Sequence, residues 1–186
     1  MSIIPKHRRF FMYGYVGKIL RINLTTAQST VENLDEAMAR KFIGGRGLAT
    51  KLFSDEVSAT VDALSPENKL LIATGPLTGT PTPTGGRYMV VTKSPLTGTI
   101  ASSNSGGYWG PELKFAGYDV IILEGKSEKP VYIMIEDDKV EIRDAAHVWG
   151  KVVSEATTML EAEAPDKEEL WLLDQQEKNY RSLQLL

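Results

Sequence analysis

Four glycine-rich segments occur in the middle of the chain, where predicted strands meet loops. They are Gly-Pro-Leu-Thr-Gly at 75–79, Thr-Gly-Gly-Arg-Tyr at 84–88, Ser-Pro-Leu-Thr-Gly at 94–98 and Asn-Ser-Gly-Gly-Tyr-Trp-Gly at 104–110. Glycine has no Cβ atom, so it permits tight turns and lets backbone N–H groups approach a ligand closely. The pattern indicates a strand-rich domain whose turns form a binding surface for a large, polar, anionic ligand.

Two polar residues in these segments are candidate ligand contacts. Arg87 follows two glycines, and its guanidinium could form parallel hydrogen bonds to a phosphate or contact a fused heterocycle. Asn104 could offer its amide or its backbone carbonyl to a ligand or to magnesium, which prefers oxygen donors. The local sequence is equally compatible with structural roles, in which Arg87 holds loop carbonyls and Asn104 caps the following helix.

Gly106 and Gly107 separate a predicted strand from a short helix predicted at 108–116. The free N–H groups of a helix start lie over the residues before it and favour anions, so this junction is a candidate anion site. The alternative is that the two glycines only form the helix entry. Arg46, in Gly-Gly-Arg-Gly at 44–47, has similar surroundings and is a weaker candidate.

The titratable residues form no recognisable catalytic centre. Glu112 is predicted to lie near the glycine-rich surface, whereas the acids at 137–141 are typical of solvated hairpin charges. His7 and His147 have no partner at a recognisable spacing. The sequence contains neither a Walker loop nor a complete Gly-x-Gly-x-x-Gly after an initial strand. It therefore predicts a binding surface and no catalytic residue.

Hydrophobic patterning predicts an α+β fold of short helices packed on antiparallel sheets. Strands are predicted at 16–24, 29–34, 69–74, 87–93, 99–103, 119–125, 130–136 and 139–143. Helices are predicted at 36–43 after an Asp35 N-cap, and at 48–57, 108–116 and 151–163. The apolar side of the last helix is predicted to contain Val152, Val153, Ala156, Met159 and Leu160.

Composition limits the partners and the compartment. The formal net charge of −3 gives no general reason to expect nucleic acid or an anionic membrane as a partner. No apolar run approaches the roughly 20 residues that a membrane helix needs. The 186 residues contain no cysteine, which excludes disulfides and cysteine-ligated iron–sulfur clusters within them. Residues 1–11 lack the apolar stretch of a signal peptide, which predicts an N-terminal extension on a cytoplasmic protein.

Eight motifs in order, together covering about 12–163, resemble the N-terminal domain of the aldehyde:ferredoxin oxidoreductases. They lie at 13–25, 44–48, 64–69, 75–79, 83–88, 92–98, 104–108 and 112–119. The likeness continues through Glu-Gly-Lys at 124–126, Ile-Arg-Asp-Ala at 142–145 and Trp-Gly-Lys at 149–151. Each motif is modest by itself, and their order makes the resemblance specific.

This resemblance implies a fold of two mostly antiparallel β-sheets that forms the base for a tungsten (or molybdenum) bis-pterin cofactor. The family oxidises aldehydes to carboxylic acids and passes electrons through a [4Fe–4S] cluster to ferredoxin. Position by position, Arg87, Asn104 and Gly106 match the family's pterin contacts, Gly106 through its backbone. Asn104 also matches the residue whose main-chain oxygen ligates the magnesium that bridges the two pterin phosphates.

The resemblance divides the chain into an extension at 1–11, a tungstopterin-binding domain at 12–163 and a divergent tail at 164–186. The changed character of the tail predicts a truncated or frameshifted end. Because the cluster cysteines and the catalytic part have no counterpart here, we expect the isolated chain to be inactive. Two alternatives remain open: a non-catalytic pterin-binding or assembly subunit completed by a separate cysteine-containing chain, and a glycine-rich structural domain without a ligand.

Overall fold

The computed structural model describes residues 13–163, so the extension 1–11 and the tail 164–186 lie outside the described residues. The strands are β1 Lys18–Asn23, β2 Gln28–Asn33, β3 Lys69–Thr74, β4 Tyr88–Lys93, β5 Ile100–Ser105, β6 Val120–Glu124, β7 Val131–Glu136 and β8 Lys139–Asp144. The helices are α1 Glu36–Phe42, α2 Gly45–Glu56, α3 Trp109–Phe115 and α4 Val153–Glu163. Within 13–163, no helix combines the length and apolar character needed to span a bilayer.

The strands form two sheets. The larger has the order β2-β1-β6-β3-β4-β5, and the smaller is the β7-β8 hairpin. Only β1 and β6 pair in parallel among the described strands, and every other pair is antiparallel. The prediction of an α+β fold with two mostly antiparallel sheets and short helices is therefore confirmed.

The two faces of the large sheet are covered by different elements. On one face, α1 and α2 pack over the buried side chains of β1, β3, β4 and β6. The other face is covered by α3 and by apolar residues of the β7-β8 hairpin. A third cluster joins α4 to the outer side of that hairpin. The buried residues thus form three layers, the first under α1 and α2, the second between the large sheet and the hairpin, and the third under α4. The strands β2 and β5 form the edges of the large sheet.

The ends of two helices differ from the sequence prediction. Asp35 caps α1 as predicted, with its carboxylate accepting a 2.6 Å hydrogen bond from the N–H of Met38. The second helix begins at Gly45 and not at 48, because packing of α2 on β3 and β4 outweighs the poor helix propensity of glycine. Val152 and Val153 are 58% and 41% exposed, so their predicted place on the apolar side of α4 is wrong.

An ion-pair network ties β1, β2, α2, β3 and β6 together. The guanidinium of Arg21 lies 2.7 Å from the carboxylate of Glu32, 2.8 Å from that of Glu56 and 3.1 Å from that of Glu124. Lys69 Nζ lies 2.6 Å from Glu56 and 2.9 Å from Glu124. Hydrogen bonds from Arg21 lower the pKa of Glu56 from 4.5 to about 2, against an opposing effect of burial.

We expect Glu56→Gln to lower the free energy of unfolding by about 1–2 kcal/mol at neutral pH, after allowance for solvent screening. Because the folded-state pKa is depressed, this contribution is fully present above pH 4.5 and is lost as pH falls towards 2. Urea denaturation of wild type and variant across this range measures it. Glu36→Gln, which removes an exposed i,i+4 pair with Arg40, is the matched control with little effect. If Glu56→Gln lowers the free energy of unfolding equally at both ends of the pH range, the ionised carboxylate of Glu56 is not the source of the stabilisation.

Candidate functional site

Arg87 and Asn104 come together at one end of the large sheet. The Nη1 group of Arg87 donates a hydrogen bond to Oδ1 of Asn104. Asn104 is paired across β4-β5 with Met89, so the two side chains lie on one face of the sheet. A Cβ atom at Gly45 would lie 3.3 Å from Cγ of Met89, which places the start of α2 over the same face. The candidate ligand contacts therefore share one side of the sheet.

Asn104 belongs to a strand and does not cap a helix. It lies within β5, which continues to Ser105 because it pairs with β4 along its full length. The helix α3 begins only at Trp109, and its N-cap Tyr108 makes no side-chain capping hydrogen bond. The structural alternative in which Asn104 caps the helix is therefore wrong. The amide oxygen of Asn104 accepts a hydrogen bond from Arg87. Among residues 13–163, the guanidinium of Arg87 forms no hydrogen bond to a loop carbonyl.

Gly106 and Gly107 leave an open surface beside this pair. A Cβ atom at Gly106 would meet only Cδ and Nε of Arg87, at 3.8 Å, among the described atoms. At Gly107, where φ is +89°, no described atom lies within 4 Å of that position. The backbone of both residues is thus accessible next to a guanidinium. This arrangement suits a flat or anionic group that approaches main-chain N–H groups.

Other glycines of the same segments serve close packing of loops. A Cβ atom at Gly86 would lie 2.5 Å from the carbonyl oxygen of Gly107, and one at Gly110 would lie 2.9 Å from that of Gly86. A Cβ atom at Gly85 would lie 2.8 Å from the carbonyl oxygen of Leu77. The segments 75–79, 84–88 and 104–110 therefore pack directly on each other. Contact between loops therefore accounts for the glycines at 85, 86 and 110, whereas Gly106 and Gly107 have space beside them.

Thr78 fixes the backbone at Arg87. Its hydroxyl donates a 3.0 Å hydrogen bond to the carbonyl oxygen of Arg87 and accepts one of 3.1 Å from the N–H of Gly75. The side chain is buried, so these bonds are shielded from water. This role was not predicted from the sequence, although a threonine three residues after the glycine of a Gly-Pro-Leu-Thr turn indicates such bonds.

A buried ion pair anchors α3, which follows the open glycines. Asp119 is 1% exposed, and its carboxylate lies 2.8 Å from Nζ of Lys114. It also accepts hydrogen bonds of 2.6 Å from the N–H of Gly17 and 3.2 Å from that of Val16. Lys114 additionally donates to the carbonyl oxygen of Gly14. The N-terminal segment, α3 and β6 are thereby fixed to one another across about a hundred residues of sequence.

Among the described residues, neither Glu112 nor His147 forms a hydrogen bond or an ion pair with Arg87 or Asn104. Glu112 is an exposed residue of α3. His147 has a partner that its sequence spacing did not reveal, since Nε2 lies 2.7 Å from a carboxylate oxygen of Glu163. That carboxylate also accepts a 2.8 Å hydrogen bond from the hydroxyl of Tyr132, within the layer formed by the hairpin and α4. Within residues 13–163, no group of three or more His, Cys, Asp or Glu side chains is arranged to hold a metal ion.

Comparison with known proteins gives a consistent family assignment. Residues 19–174 match the sequence profile described as aldehyde ferredoxin oxidoreductase, N-terminal domain. The tungsten-containing aldehyde ferredoxin oxidoreductase of Pyrococcus furiosus is 62% identical over 152 residues, covering 82% of this chain and 25% of that protein. The protein of the same name from Thermococcus kodakarensis is 60% identical over 152 residues, with the same coverage.

More distant relatives carry other names. The "aliphatic sulfonate oxidoreductase, WOR-like subunit" of Pyrococcus furiosus is 45% identical over 142 residues, covering 75% of this chain and 22% of that protein. Among solved structures, the active site complex BamBC of benzoyl coenzyme A reductase with 1,5-dienoyl-CoA aligns with a TM-score of 0.79 at 42% identity. The alignment covers 81% of this chain and 23% of the BamBC chain. This chain spans about a quarter of the length of its curated relatives, and it belongs to the aldehyde ferredoxin oxidoreductase family through the N-terminal domain.

Proposed function

We propose that residues 12–163 form the tungstopterin-binding domain of an aldehyde ferredoxin oxidoreductase, with Arg87, Asn104 and Gly106 as cofactor contacts. The observation that carries this proposal is the contact between the Arg87 guanidinium and the Asn104 amide, directly beside the open backbone at Gly106. Asn104 and Gly106 are 17 or more positions from Arg87 in sequence. They become its neighbours only through the β4-β5 pairing.

The chemistry of this residue set fits a phosphorylated pterin. A guanidinium binds phosphate oxygens through charge-assisted hydrogen bonds, and its plane suits a fused heterocycle. Asn104 supplies oxygen donors, which are the ligands that the bridging magnesium prefers. A side chain at Gly106 would occupy the space next to Arg87, so the absence of a Cβ atom leaves room for the ligand. The pterin ring system and its phosphates thus find complementary groups on this face.

In this proposal each residue has a separate task. Arg87 neutralises phosphate charge, and Asn104 orients that guanidinium while its main-chain oxygen ligates magnesium. Gly106 offers backbone contact. The bound tungsten, or molybdenum, supplies the two-electron redox chemistry that converts a small aldehyde to a carboxylic acid, with ferredoxin as the electron acceptor. The [4Fe–4S] cluster of the family requires cysteines, and these 186 residues contain none. We place the protein in the cytoplasm.

Arg87→Gln tests the proposed contact. We expect the variant, made in a host that synthesises tungstopterin and purified without air, to retain at least tenfold less tungsten and pterin per chain than wild type. The reason is the loss of a charge-assisted bond to phosphate. Arg40→Gln, which removes an exposed arginine from α1, is the matched control and should retain wild-type amounts. Equal metal content in all three proteins, or no tungsten or molybdenum in wild type, would contradict the cofactor-binding role.

The alternative candidate is a non-catalytic pterin-binding or assembly subunit that is completed by a separate cysteine-containing chain. In both candidates we expect the purified chain by itself to show no dye-linked aldehyde oxidation. Addition of a defined larger subunit with cluster cysteines should restore oxidation only in the subunit case. Aldehyde oxidation by the isolated chain would overturn both candidates.

A further inference from the structure

The arginines among residues 13–163 divide into two groups. Arg21, Arg40 and Arg143 each form an ion pair with a carboxylate, at 2.7, 2.8 and 2.5 Å. Arg46 and Arg87 form no ion pair with any described residue, and the partner of Arg87 is a neutral amide. The domain therefore contains two guanidinium groups whose charge is not compensated by a described carboxylate.

These two arginines lie on the same face of the large sheet. Arg46 is exposed in the first turn of α2 and directly follows Gly45. The start of α2 contacts Met89, the cross-strand partner of Asn104. Met89 is two residues from Arg87, a separation of about 7 Å along a strand. Arg46 thus belongs to the face that carries Arg87 and Asn104.

Close packing fixes the start of α2 at this end of the sheet. A Cβ atom at Gly44 would lie 3.0 Å from the carbonyl oxygen of Thr74 and 3.0 Å from Cα of Gly75. Thr74 and Gly75 lead into the turn whose Thr78 holds the backbone of Arg87. The backbone at Arg46 is thereby held in a defined position relative to Arg87. No acidic residue lies in the first turn of α2 to neutralise Arg46.

We infer that Arg46 binds a second anionic group of the ligand whose first anionic group is bound by Arg87. The inference rests on the proposed function and deepens it, because it assigns the site to a ligand with two separated anionic groups, such as two phosphates. Each guanidinium gains a charge-assisted hydrogen bond to the ligand. The anionic groups of the ligand then neutralise Arg46 and Arg87, as carboxylates neutralise the other arginines of the domain. Arg46 acts as a positioning residue for the ligand and takes no part in the reaction.

The test measures release of tungsten and pterin from the loaded protein as sodium chloride is raised. We expect Arg46→Gln to release both about tenfold faster than wild type, because one charge-assisted contact is lost. Arg46→Lys keeps the positive charge, so at low salt it should release tungsten and pterin as slowly as wild type. As salt rises and screens that charge, its release should accelerate more than that of wild type. Arg40→Gln, on the neighbouring helix α1, serves as the control and should behave as wild type. Thermal melts of all variants should coincide, because both arginines are exposed.

The outcomes separate this inference from the proposed function. If Arg46→Gln releases the cofactor like Arg40→Gln while Arg87→Gln loses it, the role of Arg46 is wrong and the proposed function stands. If neither Arg46→Gln nor Arg87→Gln changes release, or if wild type carries neither tungsten nor molybdenum, both are wrong. If Arg46→Gln accelerates release and Arg46→Lys recovers it, the second anionic contact is established.

Discussion

Replacement of Asp119 by alanine is expected to lower the free energy of unfolding by about 3–5 kcal/mol. The variant leaves the ammonium group of Lys114 without its carboxylate although this residue is only 8% exposed. It also removes the acceptor of the N–H groups of Val16 and Gly17. A buried charge without a counter-ion and two backbone donors without acceptors are costly, since each was desolvated on folding.

Urea denaturation followed by circular dichroism measures this loss. Asp55→Ala is the control, because Asp55 forms an exposed i,i+4 pair with Lys51 and its removal should change the free energy of unfolding by less than about 0.5 kcal/mol. The double variant Lys114→Met/Asp119→Ala should be less destabilised than Asp119→Ala, because it contains no unpaired buried charge. Similar small losses for Asp119→Ala and Asp55→Ala would show that the buried pair does not anchor α3.

The strands could be predicted from sequence because their signal is local. The runs that form β3 and β6 are apolar at most positions, and β1 contains three buried aliphatic residues in six, so the presence of these strands follows from side chains alone. The end of β5 could not be predicted in this way. Ser105 and Asn104 are strand residues only because they pair with Tyr88 and Met89, and β5 is exposed at five of its six positions. Because these partners are 15 and 17 positions away, the polar residues themselves carry no local strand signal.

For the candidate site too, the residues could be predicted from the local sequence, whereas their arrangement depends on tertiary structure. Arg87, Asn104 and Gly106 could be selected from sequence motifs. That they lie next to one another follows only from the register of β4 and β5. Which glycines are open also depends on tertiary packing. Gly86 and Gly107 are both next to a second glycine, yet a Cβ atom at Gly86 would collide with a carbonyl oxygen, whereas no described atom lies within 4 Å of that position at Gly107. Glycine clusters in sequence therefore indicate a close approach without telling whether a ligand or another loop makes it.

Gly106→Ala is expected to abolish most cofactor binding while leaving the fold intact. The backbone of Gly106 has no positive φ, and the new methyl group would meet only the flexible Arg87 side chain at 3.8 Å. Reduced freedom of the unfolded chain should even stabilise the variant slightly, by less than about 1 kcal/mol. A ligand that contacts the backbone of Gly106, however, must occupy the space that the methyl group takes. We therefore expect tungsten and pterin content at least tenfold below wild type, with an unchanged thermal melt.

Two further variants make this result interpretable. Gly86→Ala would place a Cβ atom 2.5 Å from the carbonyl oxygen of Gly107, so it should lower the melting temperature as well as the metal content. Ser105→Ala removes an exposed hydroxyl next to Gly106 and should change neither quantity, since its pairing with Tyr88 uses the backbone. Full tungsten content in Gly106→Ala would show that the ligand does not approach this residue. Of these three variants, only Gly106→Ala is expected to lose the cofactor without a change in the thermal melt. A parallel fall of metal content and melting temperature in Gly106→Ala would identify the glycine as structural.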